Sequence, residues 1–165
     1  MAKDQSFDIV SEVDMQEVDN AYGQARKELA QRYDLKGSGA KLEFERKSGA
    51  VTITAPSDFV CKQVRDILET RLIRRKVDLK SLSWGAPQDA SGGTVKTVGT
   101  IVQGIDEDTA RRINKDIKGL KLKAKVQIEG TKLRVSSPSR DTLQEVITFL
   151  RDQDYGVPLQ YVNYR

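Results

Sequence analysis

A row of five cations along residues 121–136 is the strongest chemical signal in this sequence. The segment is KLKAKVQIEGTKLRVS, in which charged and apolar residues alternate on both sides of Gly130. Alternation with a period of two is typical of a β-strand with one buried face, and glycine suits the tight turn of a hairpin. The segment therefore predicts a basic β-hairpin. Its five cations are Lys121, Lys123, Lys125, Lys132 and Arg134.

The chemistry expected of these cations is anion binding. Like charges on adjoining strands repel one another unless an anion neutralises them, and phosphate groups would do so. Lysine supplies a point charge, whereas arginine has a planar fork, so only Arg134 among the five can make a bidentate contact to guanine. The structural alternative is that alternating lysines keep an exposed strand soluble and prevent edge pairing.

A second group of cations, Arg71, Arg74 and Arg75 followed by Lys76, ends the helix predicted to start near Asp58. Cations at a helix C-terminus interact favourably with the helix dipole, which is a sufficient structural role. The functional alternative is a further phosphate contact, with one arginine stacked on a guanine. Should the two domains pack together, this group and the basic hairpin would flank one interdomain cleft.

Aromatic residues are absent from the strands where RNA recognition motifs present them. The corresponding segments here are GAVTITAP and TKLRVSSP, while those motifs stack bases on aromatic side chains. Sequence-specific recognition of single-stranded RNA is therefore not expected. The remaining candidates for base stacking are Phe7, Tyr161 and Tyr164, with the two tyrosines predicted on opposite faces of the last strand; core packing is their structural alternative.

Composition argues against catalysis, metals and cofactors. The chain has no histidine and one cysteine, so it lacks the commonest general base and the commonest transition-metal ligand. Cys61 has no partner base and is predicted to be a packing residue. The glycine-rich segments 37–39 and 91–93 lack the Lys-Ser/Thr of a phosphate-binding loop and are predicted to be hinges.

Charge and hydropathy indicate a cytoplasmic protein with no membrane association. Charged residues make up 32% of the 165 residues. No apolar run approaches the roughly 20 residues that span a bilayer. The first ten residues also lack the apolar core of a signal peptide.

The periodicity along the chain predicts the order βαββαβ twice, with a linker at 85–93. An α+β fold follows, a tandem of two ferredoxin-like domains with antiparallel sheets over residues 1–90 and 91–165. The predicted elements are strand 7–13, helix 15–33, hairpin arms at 41–45 and 51–54, a helix from 58, strand 79–84, strand 94–102, helix 106–118, the basic hairpin, helix 139–152 and strand 159–164. Periodicity also predicts which side chains are buried, among them Tyr33, Val64, Ile113 and Leu150 on the helices and Ile128, Leu133 and Val135 on the basic hairpin.

Four segments are distinctive enough to compare with known families. They are SFDIVSEVDMQEVDNA near the start, RYDLKGS after the first helix, ASGGTV at the linker and VPLQYVNYR at the close. Together they resemble the signatures of the YajQ family of small bacterial nucleotide-binding proteins. The resemblance implies that the N-terminal strands are exchanged, so that strand 7–13 completes the second domain's sheet and strand 94–102 the first's. It also implies a nucleotide or nucleic acid ligand, with cyclic di-GMP recognised by members of the family.

We therefore predict a non-enzymatic nucleotide-binding protein, a cyclic di-GMP-responsive effector, that holds phosphates on an open sheet face or in the interdomain cleft. A transcriptional regulator protein is the partner expected of such an effector. One alternative is a general binder of tRNA or other RNA that uses the same basic face and loses affinity steeply with salt. A second alternative is a protein-interaction module without a nucleotide ligand.

Overall fold

The computed structural model describes residues 3–165, which form four α-helices and two antiparallel sheets. This is an α+β architecture compatible with two ferredoxin-like halves. In chain order the elements are β1 (Gln5–Val10), α1 (Met15–Gln31), β2 (Lys41–Glu45), β3 (Ala50–Ala55), α2 (Asp58–Arg74), β4 (Leu82–Trp84), β5 (Gln88–Ala90), β6 (Thr94–Ile101), α3 (Glu107–Gly119), β7 (Lys125–Glu129), β8 (Lys132–Ser137), α4 (Arg140–Arg151) and β9 (Gln160–Val162).

The chain divides into two compact units. Unit 1 combines the N-terminal residues up to Glu12 with Gln103–Arg165, and unit 2 is Val13–Val102. Each unit contains its own sheet, its own pair of helices and its own apolar core.

The sheet of unit 1 has the strand order β7-β8-β1-β9, with every neighbouring pair antiparallel. Its helices begin at capping side chains, since Asp106 accepts a hydrogen bond from the Thr109 amide and Ser139 from the Thr142 amide. One face of the sheet packs against α3 and α4 through side chains that are almost wholly buried. The largest of them are Phe7, Ile9, Ile105, Ile113, Leu133, Ile147 and Leu150.

The sheet of unit 2 has the order β2-β3-β6-β4, and β5 also pairs with β6. Helix α1 starts at Asp14, whose carboxylate accepts from the Gln16 and Glu17 amides, and α2 starts at Ser57. The buried stripes of both helices pack on the sheet through Val18, Ala25, Leu29, Val64, Ile67, Leu68 and Leu72. Within residues 3–165 no helix is long and apolar enough to cross a bilayer.

Several predicted boundaries differ from the structure. Helix α1 ends at Gln31, so Tyr33, predicted on its buried stripe, is 98% exposed. Residues 79–84 are a short 3₁₀ turn followed by β4, and the predicted linker contains β5, which adds to the edge of the sheet. The first arm of the basic hairpin starts at Lys125, because Lys121 has φ +56 and ends the helical turn after α3.

Candidate anion-binding face

The three lysines on the outer side of the basic hairpin are exposed. Lys125 lies in β7, while Lys121 and Lys123 precede that strand. The backbone at Lys123 is still held against β8, since its carbonyl accepts a hydrogen bond from Ser137 Oγ at 2.7 Å. No ion pair involves these three ammonium groups within residues 3–165. They are available to an external anion.

The two cations on the inner strand β8 are bound differently, because Asp8 lies between them. Asp8 is directly opposite Arg134 in the β1–β8 pairing and is only 1% exposed. Its carboxylate accepts from Arg134 Nε at 3.1 Å, from Lys132 Nζ at 3.4 Å and from Asn163 Nδ2 at 2.8 Å. Two of the five predicted phosphate ligands are thus already paired with a carboxylate of the protein.

Asp8 is held in its charged form. Burial acts to raise the pKa of this carboxyl, but the hydrogen bonds from Asn163 and Arg134 and the charges of Lys132 and Arg134 outweigh it. The pKa of Asp8 is therefore lower than its ordinary value. Glu129 adds a second acid, with its Oε1 3.6 Å from Arg134 Nη1. The inner part of the hairpin is neutralised within the fold, and the outer part is not.

The predicted stacking residues meet one another in unit 1. The Phe7 ring is 0% exposed and lies 6.0 Å from the Tyr161 ring and 6.1 Å from the Tyr164 ring, between centroids. No surface of Phe7 is open to a base, so its role is core packing. Tyr161 and Tyr164 were predicted on opposite faces, which is wrong, because Asn163 has φ +57 and turns the chain after β9. Tyr164 remains 63% exposed.

The arginines at the end of α2 lie in unit 2 and mostly face α1. Arg71 donates from Nη2 and Nε to Glu28 Oε1 at 2.7 and 3.1 Å, and Arg75 Nη1 lies 3.5 Å from Glu17 Oε2. Arg74 is exposed and makes no ion pair within the described part of the chain. Two of these three arginines thus join the helices of unit 2.

Asp8 and Asn163 are the site residues that sequence reasoning missed. The alternation of Phe7, Asp8 and Ile9 does place Asp8 on the face opposite the core, which is a usable signal. Its partner is on a strand more than a hundred residues later, and no local pattern indicates that pairing. Asn163 gives no signal, because its contact depends on the positive φ that follows β9.

Other candidate chemistry in the chain has structural explanations. The Cys61 thiol is buried and directed at the Val95 carbonyl, 3.6 Å away, and burial raises its pKa. Residues Ser91–Gly93 form a short 3₁₀ turn that leads into β6 rather than into a helix. Among residues 3–165, no group of three or more Cys, Asp or Glu residues is arranged to hold a metal ion.

Comparison with known proteins agrees with a ligand-binding role. A family model described as nucleotide-binding protein YajQ-like matches residues 5–165. A relative from Desulfitobacterium hafniense is 48% identical over 165 residues, which is 100% of both chains. Relatives from Alkaliphilus oremlandii and Bacillus cereus are 47% and 44% identical, again over 100% of both chains. All three are named nucleotide-binding proteins.

Proposed function

The chain belongs to the family of YajQ-like nucleotide-binding proteins, and from this premise we propose that it binds a cyclic dinucleotide such as cyclic di-GMP without catalysing a reaction. The phosphates of the ligand are held on the open face of the unit 1 sheet. Family membership supports the ligand class, and the distribution of charge on the sheet supports the location.

One observation carries the location: Lys121, Lys123 and Lys125 are exposed and unpaired within residues 3–165, next to a neutralised inner strand. An unpaired cation gains a partner when a phosphate binds. A cation already paired with Asp8 would have to give up that carboxylate first. The three outer lysines are therefore the phosphate ligands, and Lys132 and Arg134 hold the strand on which they are presented.

Base recognition must come from groups near the lysines. Arg134 is fixed in orientation by Asp8 and its side chain is 27% exposed, so it can present a fixed donor edge to a guanine. Tyr164 is the exposed aromatic ring of unit 1, but it lies beside Leu143 and Ile147 of α4, on the Phe7 side of the sheet, and so it faces away from Arg134. Phe7 is excluded from base stacking by its burial.

The same proposal includes the exchange of strands between two ferredoxin-like repeats at 1–90 and 91–165. The pairing of β1 with β8 and of β6 with β3 supports it. With the exchange, each repeat has the order βαββαβ once its first strand is taken from the other repeat.

The test is a calorimetric titration of the full chain with cyclic di-GMP, GTP, ATP and tRNA at two salt concentrations. We expect cyclic di-GMP to bind with weak salt dependence. The triple variant Lys121→Gln, Lys123→Gln, Lys125→Gln should weaken that binding about tenfold or more, since contacts to charged groups contribute about 1.5–3 kcal/mol each.

A matched control removes the same charge from unit 2. The variant Lys27→Gln, Lys47→Gln, Lys96→Gln changes three exposed lysines outside the proposed face. Its affinity for cyclic di-GMP should equal that of the wild type. Equal weakening by both triple variants would mean that net charge, rather than this face, determines binding, and the proposed location would be wrong.

RNA binding is the second candidate, and the use of lysine favours it. Lysines contact phosphates as point charges and discriminate poorly between bases. If tRNA alone binds, the slope of log affinity against log salt should be steep. The hairpin variant should then reduce that slope by about 2, from three lost contacts of about 0.7 each on a single strand.

A further inference from the structure

Unit 2 contains a cavity of about 620 Å³ between the second half of α1, the loop that follows it and strand β2. Ligand sites for small molecules occupy roughly 300–1,000 Å³. The cavity is built entirely from residues of unit 2 and lies apart from the basic hairpin in the chain. Nothing in the charge pattern of the sequence indicates it.

The inner wall of the cavity is apolar and well supported. Leu29, Leu35 and Leu42 line it and are between 3% and 7% exposed, so they belong to the core of unit 2. Tyr22 is fixed beside them, since its hydroxyl donates to the Leu42 carbonyl at 3.3 Å and its ring lies 5.8 Å from that of Phe44. This wall suits a planar or apolar group.

The rim of the cavity is basic. Arg26, Lys36 and Lys41 line it together with one acid, Glu43. None of the three cations forms an ion pair with a residue in the described range 3–165, although unit 2 pairs many of its other cations. Unpaired charges around a concave surface concentrate a positive potential, which attracts anions.

The loop that follows α1 adds backbone N–H groups that can donate hydrogen bonds to a ligand. Gly37 and Gly39 both line the cavity with φ +83 and +81, and no atom lies within 4 Å of the position that a Cβ would take at either residue. Within residues 3–165, the neighbouring amides of Lys36 and Ser38 donate to Arg32 and Leu35 carbonyls at 2.8 and 3.1 Å, but those of Gly37 and Gly39 donate to no acceptor. Backbone amides in such turns are typical anion ligands.

We propose that this cavity binds a phosphomonoester attached to a planar group, a ligand the size of a nucleoside monophosphate. Arg26, Lys36 and Lys41 and the glycine amides hold the phosphate at the rim. The ring lies on Tyr22 and the leucine wall. The site is separate from the proposed phosphate contacts on unit 1, so either can exist without the other.

The experiment is an NMR and calorimetric titration of the full chain with guanosine monophosphate, adenosine monophosphate, guanosine and inorganic phosphate. Both monophosphates should bind with shifts centred on residues 22–43. Guanosine and phosphate alone should each bind about tenfold more weakly or worse, because each satisfies only one part of the cavity. Absence of binding by both monophosphates at millimolar concentration would overturn the proposal.

Two double variants distinguish binding in this cavity from general attraction of anions to a positively charged protein. Lys36→Gln with Lys41→Gln should weaken monophosphate binding about tenfold or more. Lys27→Gln with Lys47→Gln removes the same charge from exposed positions outside the cavity and should leave it unchanged. Equal effects of the two pairs would contradict a built site.

A second variant fills the cavity without removing charge. Ala30 is an exposed residue of α1 on the cavity wall, so Ala30→Trp should abolish binding, while Gln31→Trp on the outside of the helix should not. The hairpin triple variant should bind monophosphates normally. If the hairpin triple variant loses monophosphate binding while Ala30→Trp retains it, the cavity is not the site. This conclusion does not depend on the result with cyclic di-GMP.

Discussion

Arg134 Nε donates a hydrogen bond to Asp8 Oδ1 over 3.1 Å, although the two residues are 126 positions apart. They face each other on the antiparallel strands β8 and β1. Asp8 is almost fully buried beneath its partners, so its charge is stable only because they surround it. The pair both neutralises the inner hairpin and joins the N-terminal segment of unit 1 to its second segment, Gln103–Arg165.

Replacing Asp8 by Asn should destabilise unit 1 by about 1–3 kcal/mol, because Arg134 and Lys132 lose the charge that compensates them. Urea unfolding followed by circular dichroism measures the change. Asp4→Asn, an equal change at an exposed position, is the control and should be neutral. A stability of Asp8→Asn equal to that of the wild type would show that the carboxylate contributes nothing net.

The contribution of Asp8 should disappear in acid. Its pKa is lowered in the folded protein, so the stabilisation is complete above the ordinary aspartate value of 3.8 and is lost as the pH falls through the lower folded value. The difference in unfolding free energy between wild type and Asp8→Asn should therefore be constant near neutral pH and shrink below about pH 4. A difference that grows on acidification would have the wrong sign.

Substitutions of Arg71 and Arg74 should show that an ion-paired arginine of α2 contributes more to stability than an exposed one. Arg71→Gln breaks the paired contact with Glu28 and should cost about 1 kcal/mol of stability. Arg74→Gln, three residues later and exposed, should change stability by no more than about 0.5 kcal/mol. Thermal or urea unfolding of both variants gives the comparison, and a greater loss for Arg74→Gln would contradict the assigned contacts.

Gly99 should be intolerant of a side chain. It lies opposite Trp84 in the β4–β6 pairing, and a Cβ there would come within 2.8 Å of the indole carbon Cε3. Gly99→Ala should displace the ring at a cost of about 1–3 kcal/mol. Because Trp84 is the one tryptophan of the chain, a shifted fluorescence emission reports the displacement. Gly23→Ala, on an open helix surface, is the control.

Local periodicity was sufficient to predict most of the core. The helix stripes through Val64, Ile113 and Leu150 and the alternating Leu133 and Val135 are all buried, as predicted. The family predicted from four short segments is confirmed by the match over residues 5–165. Ile128, predicted inward, is 40% exposed, since β7 is the edge strand of its sheet.

Which side chains share one face of the candidate site depends on strand pairing between distant parts of the chain, which the sequence does not indicate. Alternation shows that Lys132, Arg134 and Asp8 each lie on an open face, but not that these faces are the same one. That fact depends on the β1–β8 register. The identity of the unpaired cations therefore had to come from the structure.

The central place of β1, between β8 and β9, has a consequence for synthesis of the protein. Strand β1 leaves the ribosome before β8 and β9, which begin at Lys132 and Gln160, more than a hundred residues later. At roughly 5–20 residues per second, Phe7 and Ile9 wait on the order of ten seconds for their partners. Unit 2 is synthesised during that interval, so the apolar side chains of β1 stay without their sheet partners until β8 and β9 have been made.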